Sequence, residues 1–260
     1  MRRPLAVTLL AAATVALAGC LPPPSGGAQP GPLPPQPTTA SAPAPTSTDD
    51  ADAAAQVWPQ RQASHGVILT SEGVLDTGVA GPQRVDADTA QPHAVLYIDF
   101  QCPHCASFAA AFDDLLEARV ASGAMALELR ALSFLDRGES AGPSARAAAA
   151  FAAVADEFPE AAWPYARLLL ANQASGFDDE TLLALAAEAG ASSAQLTERV
   201  EGRQLLQYAV TANETGLSVP PAGAASAPTG TPALYLDGEP FQPVSGDPAE
   251  LEAWLDEHGA

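Results

Sequence analysis

The feature that most constrains the fold is an apolar run that leads, through two cysteines, into a helix. Residues Ala94 to Phe100 read AVLYIDF, a continuous β-favouring stretch that predicts a strand covered on both faces. Cys102 follows at the expected N-cap of a helix, and Pro103 occupies the first helical position, where the missing N–H is not needed. The helix continues with apolar residues at helical spacing and ends at Gly123. The pattern therefore predicts that both cysteines lie at a sharp strand-to-helix turn.

The segments around this turn extend an alternating α/β pattern. His65 to Thr77 predicts a short hairpin that turns at Ser71-Glu72-Gly73. Met125 to Leu132 alternates apolar and polar residues, so it predicts a second strand and completes a βαβ unit. The helical segments predicted next are Ala145–Glu157, Ala161–Asn172, Glu180–Ala189 after Asp178, and a segment opened by Ser192 with Gln195 in capping-box register.

The chain is predicted to end in a hairpin and a helix. Thr231-Pro232 precedes the apolar strand 233–236, and Asp237-Gly238 is a strong signal for a hairpin turn. A second short strand is expected around Phe241. Asp247-Pro248 then caps a last amphipathic helix.

The order strand, CPHC helix, strand, helical block, Thr-Pro, hairpin and helix is that of the thioredoxin fold. Residues 90–258, and the stretch DFQCPHC in particular, resemble the DsbA-like thiol-disulfide oxidoreductases of bacterial envelopes. The resemblance implies an α/β, thioredoxin-like fold with a helical insertion between the βαβ half and the C-terminal hairpin and helix. It also implies a cis bond before Pro232, beside the cysteines, and a substrate segment paired with the Thr231 backbone. Val219-Pro220 is the weaker alternative for this proline, because no strand follows it.

Two cysteines three residues apart have three possible uses. A disulfide that closes so small a loop stabilises a fold very little. A zinc site requires four nitrogen or sulfur ligands. Besides Cys102 and Cys105, the possible ligands are Cys20, which is assigned below to lipid, and the scattered His65, His93 and His258, so a zinc site is disfavoured. We interpret these histidines as surface or loop residues and expect neither a metal nor a cofactor. Redox exchange is the favoured use.

Disulfide exchange requires a thiolate. Cys102 at the helix N-terminus, with His104 two residues later, is expected to form that thiolate, while Cys105 lies one turn inside the helix as the resolving thiol. Stabilising the thiolate favours the reduced form, so oxidation of substrates is the predicted direction. A reductase or isomerase is the alternative, because a threonine such as Thr231 often precedes the cis-proline in those enzymes.

Two of the departures from the family pattern bear on the active site. Relatives often place a buried acid six residues before the first cysteine, where it helps to move protons, but this chain has Leu96. Asp99 is the candidate substitute, and the alternative is that Asp99 is a solvated loop carboxylate. The approach to the proline is stretched between Gly216 and Gly230, and we expect this added loop to lie near the substrate groove.

The first 56 residues predict export and anchoring. Residues 1–20 read as a signal peptide, with Arg2 and Arg3 before an apolar run. Its end, Leu17-Ala18-Gly19-Cys20, resembles the bacterial lipobox, which implies a lipid on Cys20. Residues 21–56 are predicted to form a Pro- and Ala-rich disordered tether, and residues 57–260 are predicted to form the folded domain. The predicted location is therefore extracytoplasmic, at the outer face of the cell membrane.

The charge of the chain limits its partners. With 31 acidic and 11 basic residues the formal net charge is -20, which disfavours nucleic acid. The expected partners are secreted or envelope proteins with thiols or disulfides, a membrane redox partner that recycles the cysteines, and the membrane through the lipid anchor. The alternative from another class is a non-catalytic thioredoxin-fold binding lipoprotein.

Overall fold

The strands form one mixed sheet in a computed structural model that describes residues 57–62, 65–77, 91–243 and 246–260. Within these ranges the order across the sheet is β2-β1-β4-β3-β5-β6. The strands are β1 Val67–Thr70, β2 Gly73–Val74, β3 His93–Asp99, β4 Ala126–Leu132, β5 Ala233–Leu236 and β6 Glu239–Pro240. The predicted signal peptide, tether and lipidation site lie outside the described residues.

Strands β3 and β4 pair in parallel and are joined by helix α1, Pro103–Ala121, so the predicted βαβ unit is confirmed. The other strand pairs are antiparallel. Both predicted hairpins are present. In the second, Asp237 and Gly238 have φ angles of 50° and 93°, which a tight two-residue hairpin turn requires and which Gly adopts without strain.

The insertion between β4 and β5 is helical, as predicted. The remaining helices are α2 Pro143–Glu157, α3 Ala162–Ala171, α4 Asp179–Glu188, α5 Ala194–Glu201, α6 Leu206–Ser218 and α7 Pro248–Glu257. Short 3-10 turns occur at Phe134–Asp136, Pro159–Ala161 and Gln173–Ser175. None of the helices in the described ranges is long and apolar enough to cross a membrane.

Two local predictions in the insertion were wrong. Helix α5 is capped by Ser193 and not by Ser192, because the Ser193 hydroxyl accepts the hydrogen bond from the Leu196 N–H at 2.9 Å. Gly216 is not in a loop but inside α6, where an added Cβ would lie 2.6 Å from the Leu132 side chain. The loop before Pro232 therefore begins only after α6.

The two faces of the sheet have different neighbours. Leu96 and Ile98 of β3 belong to the main core, which includes Cys105 and the buried face of α1. Val95 and Tyr97 alternate to the opposite face and form a smaller cluster with Leu132 and Tyr235. Helix α6 packs against β4, and its Gly216 lies beside Tyr97 and Leu132 on this second face. The sheet thus separates the cysteines from Tyr97 and Leu132.

Candidate active site

The turn that carries the cysteines is built by the end of β3. The Asp99 carbonyl accepts a hydrogen bond from the Cys102 N–H at 2.9 Å, and the Asp99 carboxylate accepts one from the Gln101 N–H at 2.9 Å. Cys102 is the N-cap of α1, with extended φ and ψ angles of -80° and 116°, and Pro103 follows in the first turn. The predicted strand-to-helix turn is therefore present.

Both cysteines are buried free thiols. The exposed fraction is 5% for Cys102 and 1% for Cys105. The Cys102 thiol donates a hydrogen bond to the Thr231 carbonyl, with 3.4 Å between Sγ and O, and it makes no side-chain capping bond to the helix N–H groups. Thr231 thus makes the contact that holds this thiol, and it belongs to the loop of residues 228–232 before β5, here called the proline loop. The positive end of the helix still lies beneath the thiol.

Cys105 has the environment of a protected resolving thiol. Burial is the main cause that raises its pKa to about 12; the neighbouring Cys102 also raises the pKa, and the Asp99 backbone and the Thr231 side chain lower it in part. The Cys105 thiol is therefore protonated at neutral pH. Any attack by its sulfur requires a group that removes this proton.

The proline loop lies against both thiols. The Thr231–Pro232 bond is cis, as predicted. The Thr231 carbonyl contacts the Cys102 thiol, and the Thr231 side chain lies close enough to Cys105 to lower the pKa of that thiol. A groove of about 370 Å³ runs along this loop, between residues 228–235 and 240–243.

Asp99 is fully buried, so the alternative of a solvated loop carboxylate was wrong. Besides the Gln101 N–H, its carboxylate accepts hydrogen bonds from the Ser144 hydroxyl at 2.7 Å and the Leu135 N–H at 3.0 Å. Burial raises the pKa of Asp99, an effect that these hydrogen bonds partly offset. The Asp99 carboxylate thus connects the cysteine turn to the start of α2. Proton transfer by Asp99 remains a prediction.

Pro103 and His104 lie on the exposed side of the turn. Within the described residues, no hydrogen bond to the His104 ring is found. The effect of His104 on Cys102 remains a prediction.

Two glutamines were missed by the sequence analysis. Gln173 Nε2 donates to the Cys102 carbonyl at 2.8 Å, and Gln101 Nε2 donates to the Gln173 carbonyl at 3.1 Å. This reciprocal pair connects the end of α3 to the cysteine turn. The sequence could have indicated only Gln101, which lies inside the DFQCPHC motif. Its partner Gln173 is 72 residues away, so no local pattern connects the two.

Comparison with known proteins agrees with this geometry. The family model described as thioredoxin matches residues 85–257. The chain belongs to the thioredoxin family. A search of curated proteins gives no match.

Solved structures place this thioredoxin-family protein among the DsbA-like folds. MdbA, a thiol-disulfide oxidoreductase from Corynebacterium diphtheriae, is 25% identical with a TM-score of 0.54, over 76% of this chain and 95% of that chain. DsbA from Mycobacterium tuberculosis is 22% identical with a TM-score of 0.57, over 74% and 91%. BdbD from Bacillus subtilis is 17% identical with a TM-score of 0.54, over 78% and 97%. The predicted fold and the class of thiol-disulfide oxidoreductase are confirmed.

Proposed function

We propose that this thioredoxin-family protein is a membrane-anchored, extracytoplasmic oxidase that exchanges disulfides with secreted proteins through Cys102 and Cys105. The observation that carries the proposal is the arrangement of the two thiols. Cys102 lies at the N-terminus of α1 against the carbonyl of Thr231, one of the residues that line an open groove, and Cys105 is buried one turn further along the helix. One sulfur is thus placed to meet a substrate and the other to stay inside.

The exchange takes place in two steps. A substrate thiolate attacks the Cys102 sulfur of the Cys102–Cys105 disulfide, which forms a mixed disulfide and releases Cys105 as a thiolate that takes up a proton. A second substrate thiolate then attacks the substrate sulfur of the mixed disulfide and releases Cys102. The substrate has lost two electrons and the protein has gained them, so a membrane redox partner must remove them before the next cycle.

The groove beside Pro232 supports an extended polypeptide as substrate. Proline and aromatic side chains line it, and its open side faces the solvent. The residues concerned are Pro228, Pro232, Tyr235, Pro240, Phe241 and Pro243. An extended segment placed there brings its cysteine toward Cys102.

The direction of exchange gives the first prediction. We expect a reduction potential closer to the roughly -120 mV of DsbA than to the roughly -270 mV of thioredoxin, because the helix N-terminus and His104 stabilise the Cys102 thiolate and hence the reduced form. Equilibration with glutathione buffers measures it. His104→Pro should lower the potential, whereas His258→Ala, an exposed histidine after α7, should leave it unchanged. A wild-type potential near that of thioredoxin would assign the protein to the reductases.

Anchoring gives the second prediction. Mass spectrometry of the mature protein should find a diacylglyceryl group on Cys20, as the lipobox-like Leu17-Ala18-Gly19-Cys20 implies. Cys20→Ala should release the protein from the membrane fraction, because the lipid is the proposed anchor. A soluble wild-type product with an unmodified Cys20 contradicts the anchoring.

A further inference from the structure

A side chain from the helical insertion holds the carbonyl of the first cysteine. Gln173 is the first residue of the 3-10 turn that follows α3, and its Nε2 donates to the Cys102 carbonyl at 2.8 Å. The same carbonyl accepts the Cys105 N–H at 3.0 Å and the Ala106 N–H at 3.2 Å. Two donors are enough for a carbonyl oxygen with two lone pairs. The bond from Gln173 is thus the shortest of three on one oxygen, and the oxygen does not need it to be satisfied.

A second amide makes this a contact at two points. Gln101, the residue before Cys102, donates from its Nε2 to the Gln173 carbonyl at 3.1 Å. The two amides therefore donate in opposite directions, one toward the cysteine turn and one toward the insertion. The turn that carries Gln173 is itself held, because the Ser175 N–H donates to the Asn172 carbonyl at 3.0 Å. Gln101 and Gln173, here named the glutamine clamp, thus tie the backbone of the cysteine turn to the end of α3.

Three elements hold the three polar groups of Cys102. Its N–H donates to the Asp99 carbonyl at the end of β3 at 2.9 Å, and its thiol donates to the Thr231 carbonyl of the proline loop at 3.4 Å. The insertion holds its carbonyl through Gln173. The thiol bond is lost when the sulfur reacts, because a disulfide sulfur has no proton to donate. The two backbone bonds do not depend on that proton, so they can hold the Cys102 backbone while bonds to its sulfur form and break.

The carbonyl that Gln173 holds also closes the turn between the two cysteines. Its bond with the Cys105 N–H forms the first turn of α1, which sets how the two sulfurs face each other. Burial is the main cause that raises the pKa of Cys105 to about 12, so the Cys105 thiolate is rare at neutral pH. A rare nucleophile gains most from a target that is already in place, because correct orientation removes part of the entropic barrier.

We propose that Gln173 is a positioning residue for disulfide exchange, and that it holds Cys102 in line for attack by Cys105. The inference rests on the proposed exchange at these cysteines. In the step concerned, the Cys105 thiol gives its proton to water and its sulfur attacks the Cys102 sulfur of a mixed disulfide. The Cys102–Cys105 bond forms, the bond from Cys102 to the other sulfur breaks, and that sulfur leaves as a thiolate. Gln173 acts only through the Cys102 backbone.

The test isolates this step in the full-length protein. The mixed disulfide between Cys102 and glutathione is prepared at acidic pH with an activated glutathione disulfide, because Cys105 then stays protonated. A jump to neutral pH starts resolution by Cys105, and acid quenching followed by mass spectrometry gives its rate. Gln173→Ala should resolve about fivefold more slowly than the wild type, as the loss of one typical hydrogen bond implies. Gln173→Glu, which keeps the shape of the side chain but has no donor at neutral pH, should lose at least as much.

Gln101 provides a readout that a merely structural role would not move. Gln101→Ala should also slow resolution, and the double variant Gln101→Ala/Gln173→Ala should be no slower than Gln173→Ala alone. The effects are not additive because both side chains act through one clamp. Asn172→Ala is the matched control, since it removes the neighbouring amide, which donates to the Leu168 carbonyl of its own helix at 2.8 Å. It should resolve like the wild type.

Alkylation of Cys102 by iodoacetamide should be equally fast in all variants, because it reports the supply of thiolate and needs no attack by Cys105. Unchanged resolution in Gln173→Ala, additive losses in the double variant, or an equal loss in Asn172→Ala overturns the positioning role. A fall in alkylation that matches the loss in resolution overturns it too, since Gln173 would then act on the ionisation of Cys102. A wild type whose Cys102 takes up no glutathione overturns the proposed exchange itself.

Discussion

Cys102→Ser should abolish disulfide exchange, and Cys105→Ser should stop it after the first attack. A hydroxyl in place of the Cys102 thiol forms no mixed disulfide, so turnover should fall to the uncatalysed rate. Without the buried Cys105 sulfur, the mixed disulfide between Cys102 and a substrate has no internal thiol to resolve it, and it should accumulate. The two variants thus fail at different steps, because Cys102 contacts the Thr231 carbonyl beside the groove, whereas Cys105 is buried one turn inside the helix.

Non-reducing electrophoresis and mass spectrometry with a thiol-containing unfolded substrate distinguish the two variants. Cys105→Ser should yield a covalent adduct at Cys102, and Cys102→Ser should yield none. Cys20→Ser is the matched control, since it removes the remaining one of the three cysteines in the chain and should leave exchange by the detergent-solubilised protein unchanged. Full function of Cys102→Ser in the cell would instead establish the non-catalytic binding lipoprotein.

Local sequence signals were enough to predict the cysteine turn. The apolar strand, the N-cap position of Cys102, the proline after it and the Asp237-Gly238 turn each depend on residues close together in the chain, and each is present. The fold could be predicted from the order of these elements along the chain, because few topologies are compatible with that order. The one-residue error at Ser193 has the same origin, since neighbouring serines offer the same capping group.

Contacts between distant segments could not be predicted in this way. Gln173 meets the Cys102 carbonyl across 71 residues. The burial of Asp99 depends on Ser144 at the start of α2. A carboxylate in a loop sequence is solvated by default, and only the packed insertion reverses that expectation.

The far face of the sheet carries a buried ion pair that no motif signals. Glu128 of β4 is fully buried, and Arg130 donates to its two carboxylate oxygens at 2.7 and 3.2 Å. Arg130 also donates to the Tyr97 hydroxyl at 2.8 Å, and the His93 ring lies 3.4 Å from the carboxylate. Glu128 and Arg130 pair in register with Val95 and Tyr97, so they project from the face opposite to the cysteines.

Glu128→Gln should therefore destabilise the fold by about 3–5 kcal/mol, because it leaves the Arg130 charge buried without its partner. The double variant Glu128→Gln/Arg130→Met should recover much of that loss, since removing both charges removes the desolvation cost along with the attraction. Urea unfolding measures the free energy of unfolding of both variants.

Asp256→Asn is the control. It breaks a pair of similar length with Arg119, but Asp256 is exposed, so the free energy of unfolding should change by at most about 1 kcal/mol. Exchange per folded molecule should remain that of the wild type in all three, because the sheet lies between the ion pair and the thiols. An equal loss in the single and double variants would mean that packing around these side chains, rather than their charges, stabilises this face.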